Sequence, residues 1–121
     1  MEALLLVVGK ILFASIFVSS GIAHFKAADY MAGYAQSKRI PAPKFAVLAS
    51  GALLVIAPVL FLLGVAEVLA LASLAVFLLV TAFVFHPYWT IQDAGMKQGE
   101  QLTFLKELSL AGAILVILAL L

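Results

Sequence analysis

Cysteine is missing from this sequence of 121 residues. No disulfide, thiolate metal ligand or thiol redox step can arise within the chain, although a partner could still bring one. Charge is also scarce. Asp, Glu, Lys and Arg make up 11% of the residues, against about 25% in ordinary globular domains. A net charge of +1 gives nucleic acid nothing to hold, so nucleic acid is excluded as a partner. There is no glycine-rich nucleotide loop, no nucleophilic triad, no paired catalytic carboxylates, and no polar stretch long enough to build a soluble domain for NAD or ATP. The N-terminus lacks the marks of a signal peptide. Glu2 stands where a basic region belongs, and no small-x-small site closes the first apolar run.

What fills the sequence instead is hydrocarbon. Apolar residues make up 66%, and the mean hydropathy is +1.25. A water-soluble domain of this size could not hide so much apolar surface, so the bilayer must act as solvent. A spanning helix needs roughly 20 apolar residues, and four stretches reach that length: 3–25, 45–64, 66–86 and 102–121. The expected fold is all-α, a four-helix transmembrane bundle forming one domain over 1–121. Every face of these stretches is apolar, so length carries the assignment rather than periodicity.

The connections differ in kind. Leu63-Gly64-Val65 reads as a hairpin, with Gly64 suited to a helix C-terminus and Glu67 to the next N-terminus. Lys26–Lys44 is longer. Tyr30, Met31 and Tyr34 suggest a short interfacial helix there, ended by Ile40-Pro41-Ala42-Pro43. Residues 87–101 read as a wet loop anchored by Tyr88 and Trp89. Lys26, Lys38, Arg39, Lys44, Lys97 and Lys106 fall on one side and only Lys10 on the other. The positive-inside rule thus predicts cytoplasmic loops at 26–44 and 87–101 and both termini outside. Helix contacts are expected at small residues: Ser15, Ser19, Ser20 and Gly21, then Ala49, Ser50 and Gly51, then Ala111, Gly112 and Ala113. Pro58 should kink the second span or free a carbonyl.

Polar groups at membrane depth are costly and each needs a reason. Lys10 and Glu67 fall at the same end of the predicted bundle. A Lys10–Glu67 ion pair is one expectation; a snorkelling lysine and a capping glutamate are the other. His24 and His86 are the sole histidines. Each closes a span running in the same direction, so both should reach one interface, with Lys106 on that side. Three readings stand. The histidines satisfy helix-end carbonyls. They donate to a quinone or lipid head group walled by Phe25, Phe85, Tyr88 and Trp89. Or they ligate haem; nothing else in the sequence supports a metal, so none is assigned and haem ranks last. A midplane transport site would need broken helices or mid-span charges, of which only Pro58 and Gly51 give a hint.

Several segments in order resemble the DoxX family of small bacterial four-helix membrane proteins. They are Lys10, Ser20-Gly21-Ile22-Ala23-His24-Phe25, Met31-Ala32-Gly33-Tyr34-Ala35, Ile40-Pro41-Ala42-Pro43, Leu62-Leu63-Gly64-Val65, Thr81–His86 with Trp89, and Lys106–Gly112. The resemblance covers nearly the whole length. It implies a multi-pass protein of the bacterial inner membrane associated with oxidoreductases, some linked to thiosulfate:quinone oxidoreduction or to soluble redox enzymes. It marks Lys10, His24, Glu67, His86, Trp89 and Lys106 as candidate polar positions. Many relatives carry an acid in the second span, where this chain has Leu53, Leu54, Val55 and Ile56, so a mechanism needing that carboxylate is not expected.

The function expected is a quinone-linked or redox-complex membrane subunit, an oxidoreductase component at most. Its ligand site is expected at His24, Phe25, His86, Tyr88, Trp89 and Lys106. A non-enzymatic scaffold or assembly factor is the alternative, and a small lipid or solute carrier ranks below it. Quinone is the candidate cofactor. Lipid, a soluble redox enzyme or another membrane subunit, and further copies of the chain are the candidate partners.

Overall fold

The computed structural model describes residues 1–121. It is all-helical: α1 (Glu2–Lys26), α2 (Ala28–Ser37), α3 (Pro43–Leu63), α4 (Glu67–Phe85) and α5 (Ala94–Leu120), with a 3-10 turn at Tyr88–Thr90 and no strand. Four of these, α1, α3, α4 and α5, are long and apolar enough to cross a membrane, as the length argument predicts. Packing divides the chain into two units, Met1–Leu71 and Ala72–Leu121, so α4 gives its first turn to one and its remainder to the other.

In the first unit α1 and α3 pack antiparallel, and their closest approach falls at glycine. A Cβ on Gly21 would lie 2.7 Å from Val55 Cγ2 and 2.8 Å from the Gly51 carbonyl oxygen. A Cβ on Gly51 would lie 2.8 Å from His24 Cβ and 3.2 Å from Phe25 Cε2. Lipid tails are as apolar as Leu, so backbone proximity and dispersion, not the hydrophobic effect, hold such helices together. Further along the same interface, the Phe13 ring meets Phe61 edge-on at 5.7 Å and Phe17 at 5.0 Å. The expected small-residue contacts are thus met at Gly21 and Gly51. In the last span only Ala111 of its trio is buried, and nothing lies within 4 Å of a Cβ on Gly112.

Local chemistry sets the ends of these helices. The short helix expected between Lys26 and Lys44 is α2. It stops at Ser37, ahead of the prolines, where the Lys38, Arg39 and Ile40 amides turn back onto Ala35 and Gln36 and Arg39 takes φ 62°. α3 then starts with Pro43, whose fixed φ suits the first helical position and whose missing N–H costs nothing there. Pro58 sits buried inside α3 without ending it, so the interruption that a midplane transport site would use is not seen. Gly64 closes α3 in the left-handed region (φ 74°), and the Val65 amide returns to the Leu60 carbonyl at 2.9 Å. That is the Schellman arrangement. A residue with a Cβ would pay roughly 1–2 kcal/mol to hold that φ.

The second unit departs from the sequence reading. Residues 94–101 do not form a wet loop; they are the first two turns of α5. α4 ends at Phe85 because Pro87 follows, and the residue before a proline is driven out of helical geometry. After the 3-10 turn, Asp93 caps α5, its Oδ1 accepting from the Met96 amide at 2.9 Å. An aspartate cap of this kind is typically worth ~1 kcal/mol. It starts the helix in spite of Gly95 and Gly99, which the sequence reading assigned to a loop.

Candidate functional site

α4 and α5 place an imidazole between two carboxylates. His86, one residue past the end of α4, bonds through Nδ1 to Glu100 Oε2 at 2.9 Å. Its Nε2 lies 3.5 Å from Glu107 Oε1. That second separation is an ion-pair distance rather than a hydrogen bond. The other oxygen of Glu107 accepts from the Thr81 hydroxyl at 3.0 Å, and the same hydroxyl lies 3.1 Å from the Leu78 carbonyl. Glu100 and Glu107 are seven residues apart on one helix. Seven residues is about two turns, so both project from the same stripe of α5 toward α4. Each polar group in this arrangement has a partner, as burial in lipid demands. No buried side-chain polar atom in the chain is left unsatisfied.

Phe104 sits on that stripe between the two glutamates and is buried. Around it are Phe83 at 5.2 Å, Tyr88 at 5.4 Å and Trp89 at 5.5 Å, all close to edge-on. Tyr88 and Trp89 also meet each other at 5.3 Å. Edge-to-face pairs of this kind each add about 0.5–1.5 kcal/mol beyond the area they bury. Trp89 remains half exposed.

The residues singled out from the sequence do not all fall together. His86, Tyr88 and Trp89 share this second unit. Lys106 lies beside Glu107 in the chain but is exposed on α5 and forms no ion pair. His24 and Phe25 belong to the first unit. There His24 is buried against Gly51, and its Nδ1–H donates to the Ser20 carbonyl at 2.8 Å, one turn back on α1. That bond fixes the tautomer. Phe25 edges Gly51 with much of its ring exposed.

Lys10 and Glu67 do not form the expected ion pair. The Lys10 ammonium instead stands 4.8 Å from the centre of the Phe61 ring, and Glu67 stays at the first turn of α4 near Gly64. The physical reason is local. Phe61 already faces α1 through Phe13, so the lysine finds an aromatic face within its own interface, a contact worth up to about 2 kcal/mol once desolvated. The basic segment is partly engaged as well: Lys44 pairs with Asp29 at 3.1 Å and Lys38 lies 5.7 Å over the Tyr34 ring, while Arg39 is exposed and unpaired.

Sequence reasoning missed Thr81, Glu100, Phe104 and Glu107. Once Asp93 is recognised as a helix cap, however, Glu100, Phe104 and Glu107 fall at i, i+4 and i+7, the spacing of one helix face. No group of three or more His, Asp and Glu side chains is arranged to hold a metal ion. No curated protein and no solved structure matches this chain. The family profile of DoxX matches residues 5–87, from the first turns of α1 through His86 and Pro87. With the greater part of the sequence matched and four helices fit to span a bilayer, the chain belongs to the DoxX family of membrane proteins.

Proposed function

We propose that this protein is a quinone-linked membrane subunit whose head-group site lies at His86, Tyr88 and Trp89. The observation that carries the reading is an imidazole tied to a carboxylate at 2.9 Å, beside a cluster of aromatic rings with one ring half exposed. Quinone reduction consumes two electrons and two protons. A partner oxidoreductase supplies the electrons, and the His86–Glu100–Glu107 group supplies protons at the oxygen of the ring. Aromatic edges and faces suit a flat head group, and the flanking lipid suits an isoprenoid tail. The basic residues of 26–44, with Lys97 and Lys106, support a cytoplasmic position for that end.

Trp89 is the sole tryptophan, so its fluorescence reports on this site alone. Titrating a short-chain ubiquinone analogue into the protein in lipid nanodiscs should give saturable quenching. His86→Ala should weaken binding about tenfold or more, the scale expected for loss of one charge-assisted hydrogen bond. His24→Ala serves as the comparison. Quenching that is linear in quinone, or unchanged in His86→Ala, would refute the reading.

A second role, docking a soluble redox enzyme, is favoured by one observation: Arg39 is exposed, unpaired and held at φ 62°. Co-purification of such an enzyme, lost in the double variant Lys38→Gln/Arg39→Gln, would support it.

A further inference from the structure

We infer that Glu100, His86, Glu107 and Thr81 form a proton relay along one face of α5, with Glu100 as its water-side mouth and Glu107 as its inner terminus. It supplies the protons that the proposed quinone reduction consumes, and in that respect rests on that reading.

The first argument is the imidazole itself. Histidine can take a proton at one ring nitrogen and release one from the other, and here each nitrogen faces a different carboxylate. With the same number of protons the group has two charge distributions. In one, an imidazolium sits between two carboxylates. In the other, the Nε2 proton has crossed to Glu107 Oε1, leaving a neutral ring that still donates from Nδ1 to Glu100. The 3.5 Å gap between Nε2 and Glu107 closes to hydrogen-bond range with a few tenths of an ångström of side-chain motion. No other atom has to move for the proton to pass.

The second argument is Thr81. A relay terminus must be stable both charged and neutral, and Thr81 serves both states. Toward a Glu107 carboxylate its hydroxyl donates, as the 3.0 Å contact shows. When the proton arrives at Oε1, Oε2 becomes the carbonyl oxygen of the acid, and the same hydroxyl keeps donating to it or turns its hydrogen to the Leu78 carbonyl, 3.1 Å away. A threonine with only one of these partners would favour a single protonation state. The placement of both partners is what a terminus that alternates requires.

The third argument is direction. The Glu100 side chain is 33% exposed and that of Glu107 20%, so the pair runs from the wetter end of α5 inward. The titratable group that faces Glu107 is His86, whose Nε2 lies 3.5 Å from its Oε1. Asp93, Lys97 and Lys106, the other charged groups on this connection and helix, are exposed and form no ion pair with the cluster. Tyr88 is engaged through its ring with Trp89 and Phe104.

The test is infrared difference spectroscopy of the full chain in lipid nanodiscs through a pH titration, with no quinone present. The wild type should show a protonated-carboxyl C=O band and an imidazole ring band that change with one shared midpoint. Glu107→Gln should abolish that carboxyl band and displace the imidazole midpoint. Thr81→Val, which keeps the side-chain shape, should retain the carboxyl band but move it to higher wavenumber, because the acid C=O loses its hydrogen-bond donor. Far-UV circular dichroism confirms that each variant keeps its helices. Should Glu107→Gln fail to fold, Thr81→Val and Glu100→Gln carry the test, the latter separating the shared midpoint into two. A carboxyl band unaltered by Glu107→Gln and by Thr81→Val, or carboxyl and imidazole bands with independent midpoints in the wild type, would overturn the relay. Because quinone is absent, that result leaves the fluorescence titration of Trp89 standing, and a failed titration leaves the relay standing.

Discussion

Gly21 on α1 and Gly51 on α3 face each other so closely that a Cβ on Gly21 would sit 2.8 Å from the Gly51 carbonyl oxygen. No flexible side chain can give way at that point, because the obstacle is backbone. The pair sets the separation of the two helices, and His24 is buried over it.

Gly21→Ala and Gly51→Ala should therefore each force the helices apart, at a cost of about 1–3 kcal/mol, the usual range for overpacking. Unfolding in mixed micelles, followed by circular dichroism, would measure it. Gly112→Ala is the control. Its Cβ would meet nothing within 4 Å, and alanine is the better helix former by about 1 kcal/mol, so that variant should be neutral or stabilising. Equal losses at all these glycines would argue against a close α1–α3 crossing.

Asp93→Ala should loosen the start of α5. The Met96 amide loses its 2.9 Å acceptor, and loss of such a cap costs about 0.5–2 kcal/mol. Hydrogen exchange should quicken at the amides of residues 94–98, while Phe104 and residues beyond it stay protected. Glu100 lies in the next turn, so a weakening of its bond to His86 should follow. Unchanged exchange at 94–98 would mean that the helix start is held by something other than Asp93.

The absence of cysteine makes orientation straightforward to measure. Val65→Cys, in the exposed α3–α4 connection, should react with a membrane-impermeant maleimide in intact cells. Ser37→Cys and Gln98→Cys should react only after the membrane is opened. The opposite pattern would place both termini and the Val65 turn in the cytoplasm and reverse the positive-inside assignment.

The sequence revealed the number of spans because a run of roughly 20 apolar residues has few fates other than a membrane helix. It also revealed Gly64 as a C-terminal glycine and Gly21 and Gly51 as contact residues, since small side chains have a specific use in lipid. It concealed the partners of His86. Glu100 sits among Lys97, Gln98, Gly99 and Gln101, a composition that reads as loop, and only the Asp93 cap turns that segment into helix. Within the apolar runs, hydropathy has no direction. Nothing in it could show that Lys10 would choose the Phe61 ring over Glu67, or that Phe104 would become the centre of an aromatic cluster. Those outcomes depend on which faces meet, a choice made by packing rather than by pattern.

The length of α5 ties the environment of its two glutamates to the bilayer. A helix of 27 residues is about 40 Å long, some 10 Å more than a typical hydrocarbon core. The polar turns at its start take up the excess as a collar in the head-group layer. On that placement Glu100 falls at the lower edge of the collar and Glu107 about 10 Å deeper. A thicker bilayer would draw both deeper and a thinner one would wet both, so membrane thickness becomes a dial on their hydration without any change in the protein's own contacts.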